Sequence, residues 1–201
     1  MTFAGAESGQ PVAGPWGSAD QRRAAEAVEG VAGPAAAERE PSAGQVQLRP
    51  YEPADAAATW KVFHAAVRST ALACYSAEQV AAWAPDDVDA DRWAHRRAAA
   101  WTLVAVHNGQ VAGFTDLTDA GELDMLYVHP EHARRGVATC LVAGVVTEAR
   151  RRGLLRLDVR ASRVLQPLLE RFGFVLDEDI PDNRIGDQVL ANARLHLDLW
   201  T

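Results

Sequence analysis

The sequence predicts an α+β fold built on a mixed, mainly antiparallel sheet, and three observations carry this prediction. From Val46 onward, apolar residues recur alternately with strand and helix periods, in the order β, two or three α, three antiparallel β, α, β, α, β, β. Asn108 and Gly109 separate two strand-like runs, and this residue pair favours a tight hairpin turn. The stretch LYVHPEHARRGVATCLV, residues 126–142, leads from a strand through a proline into a small-residue helix.

Length and composition narrow the class of protein. The chain has 201 residues, enough for one well-packed domain with a tail. Its 20 basic and 27 acidic side chains give a formal net charge of −7, which disfavours nucleic acid and anionic lipid as partners and suits a cationic amine. Two cysteines, no signal-peptide pattern and no apolar run of about 18 residues predict a cytoplasmic protein without disulfides or membrane spans.

Residues 1–44 differ in composition from the rest of the chain. They are rich in Ala, Gly, Pro, Glu and Ser and have few large aliphatic side chains, so they bury too little surface to offset the entropy of ordering. We therefore expect a disordered N-terminal extension, followed by a folded domain over residues 45–201. A misassigned start codon would produce the same composition.

The sequence pattern predicts one strand, three helices and a hairpin in the first half of this domain. VQLRPYEP, from Val46, is a short strand ended by prolines, and residues 54–69 have apolar side chains at helical spacing. A second helix opens at SAEQVAAW, where Ser76 and Gln79 form a capping-box pattern. A third covers residues 88–99, and the two strands around Asn108-Gly109 follow.

The second half alternates strands and helices. ELDMLYV is a strand, and a helix over residues 134–152 ends at Gly153 behind three arginines, which suit the negative end of its dipole. LRLDVRA alternates like a half-exposed strand, and residues 164–172 have the spacing of a short helix. The run from Gly173 and the final QVLANARLHLDLW supply two more strands.

The junction between ELDMLYV and the following helix predicts an anion site. The first N–H groups of a helix lack intrahelical partners, and they and the helix dipole favour negative charge. Arg134, Arg135 and Gly136 stand at this point. Either a cofactor phosphate or an unrelated nucleotide phosphate would fit such a cradle.

Three features together carry a family resemblance: the meander that runs through Val128-His129-Pro130 into ARRGVA, the helix with a basic last turn, and the βα unit that ends in ERFGF. The chain resembles the GNAT superfamily of acyl-CoA-dependent N-acyltransferases over about residues 45–201. It looks closest to a bacterial subgroup with a YSxxQxxxW motif, here Tyr75, Ser76, Gln79 and Trp83, and a serine before the last helix, here Ser162.

The resemblance implies a fold and a cofactor site. The fold has six to seven strands flanked by helices, and strands 4 and 5 splay into a V-shaped cleft for acetyl-CoA. The family's pyrophosphate motif falls on residues 133–138. It consists of Gln or Arg, then any two residues, Gly, any one residue, and finally Gly or Ala. Ala133 departs from it, but the backbone donors remain. The implied cofactor-binding residues are Leu126, Tyr127, Val128, Arg134, Arg135, Gly136, Val137, Ala138 and Thr139.

Candidate catalytic residues lie on the strand before this loop. Period-two alternation places Glu122, Asp124, Leu126 and Val128 on one face, where two acids would attract a cationic amine and accept its proton. Glu122 aligns with the position of a basic glutamate in the family. The alternative is that both acids only solvate an exposed strand. Asp116, on the neighbouring strand, is a weaker candidate for the acceptor side.

Many relatives protonate the leaving thiolate with a tyrosine, and Leu169 stands at that position here. A thiol with a pKa near 8.5 leaves tolerably without an acid. Ser162 or a water would substitute; alternatively, Ser162 only caps the last helix.

On the acceptor side, the resemblance places Tyr75, Gln79 and Trp83 in the helical wall of the pocket. The two aromatic rings would hold an amine by cation–π contact, or they would simply pack in the core. We expect His129 and His132 to be surface residues and Cys140 to be a small buried thiol. No group of residues has metal-ligand spacing, so no metal is expected.

Together with these residues, the resemblance implies an N-acetyltransferase that moves an acetyl group from acetyl-CoA to a primary amine by direct attack in a ternary complex. A small-molecule acceptor is favoured over a protein. An acyl-CoA sensor of the same fold without turnover is the main alternative, because Ala133 and Leu169 depart from the family pattern. A homodimer is also compatible with this fold.

Overall fold

A computed structural model of the protein describes residues 44–200. All but Gly44 of the segment predicted to be disordered lies outside the described residues. The helices are α1 (Ala56–Ser69), α2 (Ala77–Trp83), α3 (Ala90–Ala99), α4 (Val137–Arg151) and α5 (Gln166–Arg171). The strands are β1 (Val46–Pro50), β2 (Trp101–His107), β3 (Gln110–Leu117), β4 (Glu122–Val128), β5 (Arg156–Ser162), β6 (Val175–Ile180), β7 (Arg184–Ile185), β8 (Gln188–Val189) and β9 (Asn192–Asp198).

Seven strands form the central sheet in the order β1-β2-β3-β4-β5-β9-β6. Every neighbouring pair is antiparallel except β4 and β5, which are parallel because α4 connects them. The short strands β7 and β8 form a separate hairpin. The predicted α+β class and the mixed, mainly antiparallel sheet are therefore confirmed.

Two local predictions are also confirmed. Asn108 and Gly109 have φ angles of 52° and 75°, the left-handed conformation that a two-residue hairpin between β2 and β3 requires. At the start of α2, the Ser76 Oγ accepts a hydrogen bond from the Gln79 N–H (3.3 Å). The Gln79 Oε1 accepts one from the Ser76 N–H (2.7 Å), which completes the capping box.

The sheet separates two hydrophobic cores. The first core lies on the side of α4 and α5 and includes Leu141, Val145 and Leu169. The second core lies on the side of α1, α2 and α3 and includes Phe63 and Trp93. Alternate residues of β2 point to opposite cores, because a strand has a period of two residues.

Helix α4 begins three residues later than predicted. Arg134 and Gly136 have φ angles of 60° and 79°, so the chain bends sharply before the helix can start at Val137. Further along, α4 lies very close to the sheet: a Cβ on Gly144 would stand 2.5 Å from the Leu103 Cδ2. The absence of a side chain at Gly144 therefore lets the helix pack against β2.

A bulge in β4 corrects the predicted arrangement of its side chains. Leu123 pairs with Leu117 and Met125 pairs with Asp116, so Asp124 is an extra residue without a partner on β3. As a result, Leu123 and Leu126 both pack into the first core, although strict alternation would separate them. The prediction that the two acids share a face with Leu126 and Val128 is therefore wrong.

No helix within residues 44–200 combines the length and the apolar character needed to cross a bilayer.

Candidate active site

The parallel strands β4 and β5 stay together for only two residue pairs. Glu122 pairs with Asp158 and Leu123 pairs with Val159, and the strands then diverge. The edge of β4 that faces β5 is left unpaired beyond this point, and a pocket of about 330 Å³ opens between the strands. The predicted splay between strands 4 and 5 is present.

The pocket runs from this splay to the start of α4. Its walls come from β4, the loop before α4 and the first turn of α4, and from α1, α2, the segment after β5 and α5. It brings together ten of the residues predicted from the sequence, namely Leu126, Tyr127, Val128, Arg134, Gly136, Val137, Ala138, Thr139, Trp83 and Ser162. Arg135 does not line the pocket, although it is exposed in the same loop.

The loop before α4 has the geometry of an anion cradle. The positive φ angles at Arg134 and Gly136 alternate with ordinary ones, an arrangement that turns successive N–H groups toward one side. A Cβ built on Gly136 would meet no atom within 4 Å, so open space adjoins the backbone here. These donors, together with the N-terminus of a fifteen-residue helix, fit a diphosphate group.

The expectation for His132 is wrong. It is not a surface residue: only 8% of it is exposed, and it lines the pocket. Its ring lies against His107, which is also buried, with 3.1 Å between the two Nδ1 atoms. The register of β2 brings His107 beneath the loop, and no local sequence pattern reveals such a pairing.

The two candidate bases have different surroundings. Asp124 accepts a hydrogen bond from the Arg96 Nη2 (2.7 Å), and both side chains are largely buried. Glu122 has no ion-pair partner within residues 44–200 and is half-buried at the closed end of the splay. Burial, and then the negative charge of Asp124, raise the pKa of Glu122. Neither acid is among the residues that line the pocket.

Asp116 lies inside the protein rather than at the pocket. Its side chain is fully buried beside Arg97, and the Thr102 hydroxyl donates a hydrogen bond to its Oδ1 (2.8 Å). Burial raises the pKa of Asp116 to about 6, although the positive charge of Arg97 opposes this shift. A residue in this position supports the second core and has no access to a substrate.

Ser162 ends β5 at the edge of the pocket. Its Oγ accepts a hydrogen bond from the Leu165 N–H (3.3 Å), so it caps the turn that leads into α5. The hydroxyl proton remains available to the pocket because this bond uses only a lone pair of the oxygen. Leu169 is fully buried in the first core and lies outside the pocket wall.

On the acceptor side, only Trp83 of the three predicted residues reaches the pocket. The Tyr75 hydroxyl donates to the Ala191 carbonyl oxygen (2.7 Å) and accepts from the Arg163 N–H (2.9 Å). The Gln79 amide donates to the Val189 carbonyl oxygen. Gln79 therefore connects α2, and Tyr75 the segment just before it, to the C-terminal part of the chain. The Tyr75 ring packs edge-on against Trp83, with 5.6 Å between the ring centroids.

Several residues of the pocket wall were not predicted. Thr70 and Ala71 come from the 3₁₀ turn Thr70–Ala73 that follows α1, and Leu168 and Arg171 come from α5. The apolar positions resemble ordinary core residues in the sequence, so no signal separates them. Arg171 stands two residues before Gly173 in ERFGF. Its positive charge was the available sign that it lies near the loop Arg134–Gly136, called the anion loop below.

Comparison with known proteins identifies the family. Residues 71–184 match the model of the acetyltransferase (GNAT) domain. The uncharacterized N-acetyltransferase YafP of Escherichia coli (strain K12) is 36% identical over 129 residues, which cover 64% of this chain and 81% of YafP.

Solved structures show the same fold. A GCN5-related N-acetyltransferase from Rhodopseudomonas palustris is 35% identical, with a TM-score of 0.71 over 76% of this chain and 95% of its own. YncA from Salmonella typhimurium, solved with its cofactor acetyl-CoA, is 24% identical, with a TM-score of 0.61 over 78% of this chain and 95% of its own. PaiA from Thermoplasma acidophilum, solved with coenzyme A, is 17% identical, with a TM-score of 0.64; the match covers 77% of this chain and 99% of PaiA.

The family match, the relative and the splayed sheet agree with one another. They disfavour an unrelated nucleotide binder, and none of them favours a sensor without turnover. The chain therefore belongs to the GNAT family and is an N-acetyltransferase.

Proposed function

We propose that the protein transfers an acetyl group from acetyl-CoA to the primary amine of a small molecule, by direct attack in a ternary complex. The observation that carries this proposal is the splay: β4 and β5 pair only at Glu122 and Leu123, and the pocket beyond them reaches the anion loop. Two structural relatives were solved with coenzyme A or acetyl-CoA, which supports the same cofactor here.

Backbone groups of two neighbouring segments would hold acetyl-CoA in the pocket. The backbone of the loop at Arg134–Gly136 and the N-terminus of α4 would bind the diphosphate. The unpaired edge of β4 at Leu126–Val128 would bind the pantetheine arm. Acetyl-CoA supplies the acetyl group as a thioester. The Leu126 N–H would stabilise the negative charge that develops on the carbonyl oxygen.

Glu122 is the general base in this proposal. An aliphatic amine is mostly protonated at neutral pH and must lose a proton to attack. The raised pKa of Glu122 makes it a better proton acceptor, and it is not neutralised by an arginine as Asp124 is. Because Glu122 does not line the pocket, it takes the first proton of the ammonium through a bridging water. The C–N bond then forms while the C–S bond breaks, and the second proton of the nitrogen passes to the leaving thiolate, which the Ser162 hydroxyl stabilises.

The limited volume of the pocket supports a small acceptor. Its walls at Trp83, Thr70 and Ala71 come from packed helical segments, and its volume of about 330 Å³ must hold the reactive end of the cofactor as well. The aromatic face of Trp83 would contact a cationic amine before it is deprotonated.

Thiol release from acetyl-CoA over a panel of small amines, antibiotics and peptide N-termini tests the proposal. We expect turnover on a small primary amine, and initial-velocity lines that intersect when both substrates are varied. Parallel lines would contradict direct attack. Turnover confined to peptide N-termini would contradict a small-molecule acceptor, and coenzyme A binding without turnover on any amine would contradict the proposed reaction.

A further inference from the structure

Two buried histidines lie directly behind the anion loop. His107 is the last residue of β2, and His132 ends the short 3₁₀ turn Pro130–His132 that follows β4. Their exposed fractions are 3% and 8%. The rings are nearly perpendicular, with centroids 5.2 Å apart and 3.1 Å between the two Nδ1 atoms. This distance is that of a hydrogen bond.

The hydrogen bond fixes how the ring nitrogens are used. Of two facing Nδ1 atoms, one must carry the shared proton and the other must accept it. The Nδ1 of His132 is thus committed to His107, and Nε2 is the ring nitrogen that remains for the pocket, whose wall includes His132, Ala133 and Arg134.

We propose that His132 is a cofactor-binding residue whose Nε2–H donates a hydrogen bond to the diphosphate of coenzyme A, and that His107 is the positioning residue that sets this tautomer. The inference rests on the proposed function in one respect, namely that coenzyme A occupies this pocket. It does not depend on which amine is acetylated.

The departure at Ala133 supports this assignment. A methyl side chain at this position donates no hydrogen bond to a phosphate, whereas the imidazole of the preceding residue lies in the same wall and is held rigidly. A donor whose ring is fixed by a second hydrogen bond loses little conformational freedom on binding. His132 would therefore supply the side-chain contact that Ala133 does not.

The surrounding charges are compatible with this role. His107 approaches His132 from β2, His129 and Glu131 belong to the same turn, and Arg135 follows in the loop. Burial, and then the positive charges that His107, His129 and Arg135 would contribute, lower the pKa of His132. A neutral His132 carries its proton on Nε2 when His107 donates from Nδ1. The neutral pair carries two ring protons; if the bound diphosphate recruits a third, His132 again has an N–H at Nε2.

A matched pair of variants separates the two ring nitrogens. His132→Asn retains a polar atom near the position of Nδ1 but removes the donor near Nε2, whereas His132→Gln places an amide nitrogen near Nε2. Isothermal titration with coenzyme A should show about a 10- to 100-fold weaker Kd for His132→Asn, since hydrogen bonds to charged groups are strong, and a smaller loss for His132→Gln. His129→Asn, in the same turn, is the control and should change the Kd less than about threefold.

Acetyl-pantetheine, which lacks the diphosphate, distinguishes binding from structural damage. In NMR titrations its Kd should be the same for the wild type and His132→Asn, while a damaged pocket would weaken both ligands together. An unchanged Kd for coenzyme A in His132→Asn, or equal losses for the two ligands, would overturn the proposal. A wild type that fails to bind coenzyme A would instead overturn the proposed function.

The tautomer is directly measurable in the unaltered protein. Nitrogen-15 spectra of the imidazole rings should show His132 with a proton on Nε2 in the coenzyme A complex, with assignments from variants of the six histidines. In His107→Phe, the tautomer should become mixed and the Kd should rise severalfold. A proton confined to Nδ1 of His132 in the complex would exclude the proposed contact, and an unchanged tautomer and Kd in His107→Phe would exclude the role of His107.

Discussion

The guanidinium of Arg97 and the carboxylate of Asp116 form an ion pair beneath the sheet, with 2.8 Å between Nη2 and Oδ2. Neither side chain exposes more than 1% of its surface. Arg97 also lies over the rings of Trp93 and Phe114, 4.8 and 5.6 Å from their centroids. The pair therefore connects α3 to β3 within the second core, next to the Arg96–Asp124 contact.

Breaking this pair from one side should destabilise the protein strongly. Asp116→Leu leaves the charge of Arg97 buried without compensation, and we expect a loss of about 3–5 kcal/mol in the free energy of unfolding. The double variant Arg97→Met/Asp116→Leu should be more stable than Asp116→Leu, because no isolated charge remains. Urea unfolding measures both values.

The exposed pair Arg194–Glu178 supplies the control for this experiment. Its side chains are 48% and 58% exposed, so Glu178→Leu should cost no more than about 1 kcal/mol. A loss for Asp116→Leu no larger than that for Glu178→Leu would contradict the structural role of Asp116.

Gly136→Glu should abolish binding of coenzyme A. The glutamate would place bulk and negative charge in the open space beside the loop, and the positive φ angle would strain any side chain there. Gly153→Glu is a matched control, since Gly153 has a similar φ of 71° and equally open space around the position of a Cβ, but lies at the far end of α4. Isothermal titration should detect no binding only for Gly136→Glu; equal affinities for the two variants would contradict an anion site in this loop.

Glu122→Gln should lower turnover most near neutral pH. The raised pKa of Glu122 means that its basic form accumulates as pH rises through that value, so wild-type kcat/KM should increase with pH. At high pH the amine is already deprotonated, and the variant should approach the wild type. Glu170→Gln, at an exposed carboxylate of α5, serves as the control and should leave the pH profile unchanged. A loss of constant size at every pH would indicate that Glu122 has only a structural role.

Tyr75→Phe should reduce stability rather than acceptor affinity. The change leaves the Ala191 carbonyl and the Arg163 N–H without their partner, which should cost about 1–3 kcal/mol. For a domain of this size, each kcal/mol lowers Tm by about 2–4 °C. Differential scanning calorimetry measures the shift. A higher KM for the amine with an unchanged Tm would instead support a direct contact between Tyr75 and the acceptor.

Glu148 should make stability depend on acid pH. Its carboxylate accepts hydrogen bonds from Arg151 and Arg152 at 2.7–2.8 Å, and these contacts lower its pKa to about 2. A depressed carboxyl pKa contributes stability above the unfolded value of about 4.3 and loses it as pH falls toward the folded value. Glu148→Gln should therefore be about 1–2 kcal/mol less stable at pH 7, and the difference should shrink as pH falls from about 4 through about 2. A difference of the same size throughout this pH range would indicate lost packing.

The sequence was sufficient for elements marked by local chemistry. The hairpin at Asn108-Gly109, the capping box at Ser76 and Gln79 and the loop at Gly136 each depend on a few adjacent residues, so their patterns are readable without tertiary information. The family resemblance added the splay between β4 and β5, which no local pattern encodes.

The features that sequence reasoning missed depend on how neighbouring strands are aligned in the sheet. The bulge at Asp124 shifts the face of every residue before it, and the pairing of β2 with its neighbours brings His107 against His132. Asp116 carried a partial clue, since a charge within an apolar strand requires a partner, but the sequence does not reveal which of twenty basic residues supplies it.

The division of the core by the sheet has a consequence for evolution and engineering. Residues such as Leu141 and Val145, which seat the helix behind the anion loop, share no packing layer with Phe63 or Trp93. Substitutions in distant, independent layers usually add without interfering. A combinatorial library around Trp83 that keeps Tyr127 unchanged would therefore vary the acceptor side of the pocket and preserve the packing of α4 behind the acyl-donor site.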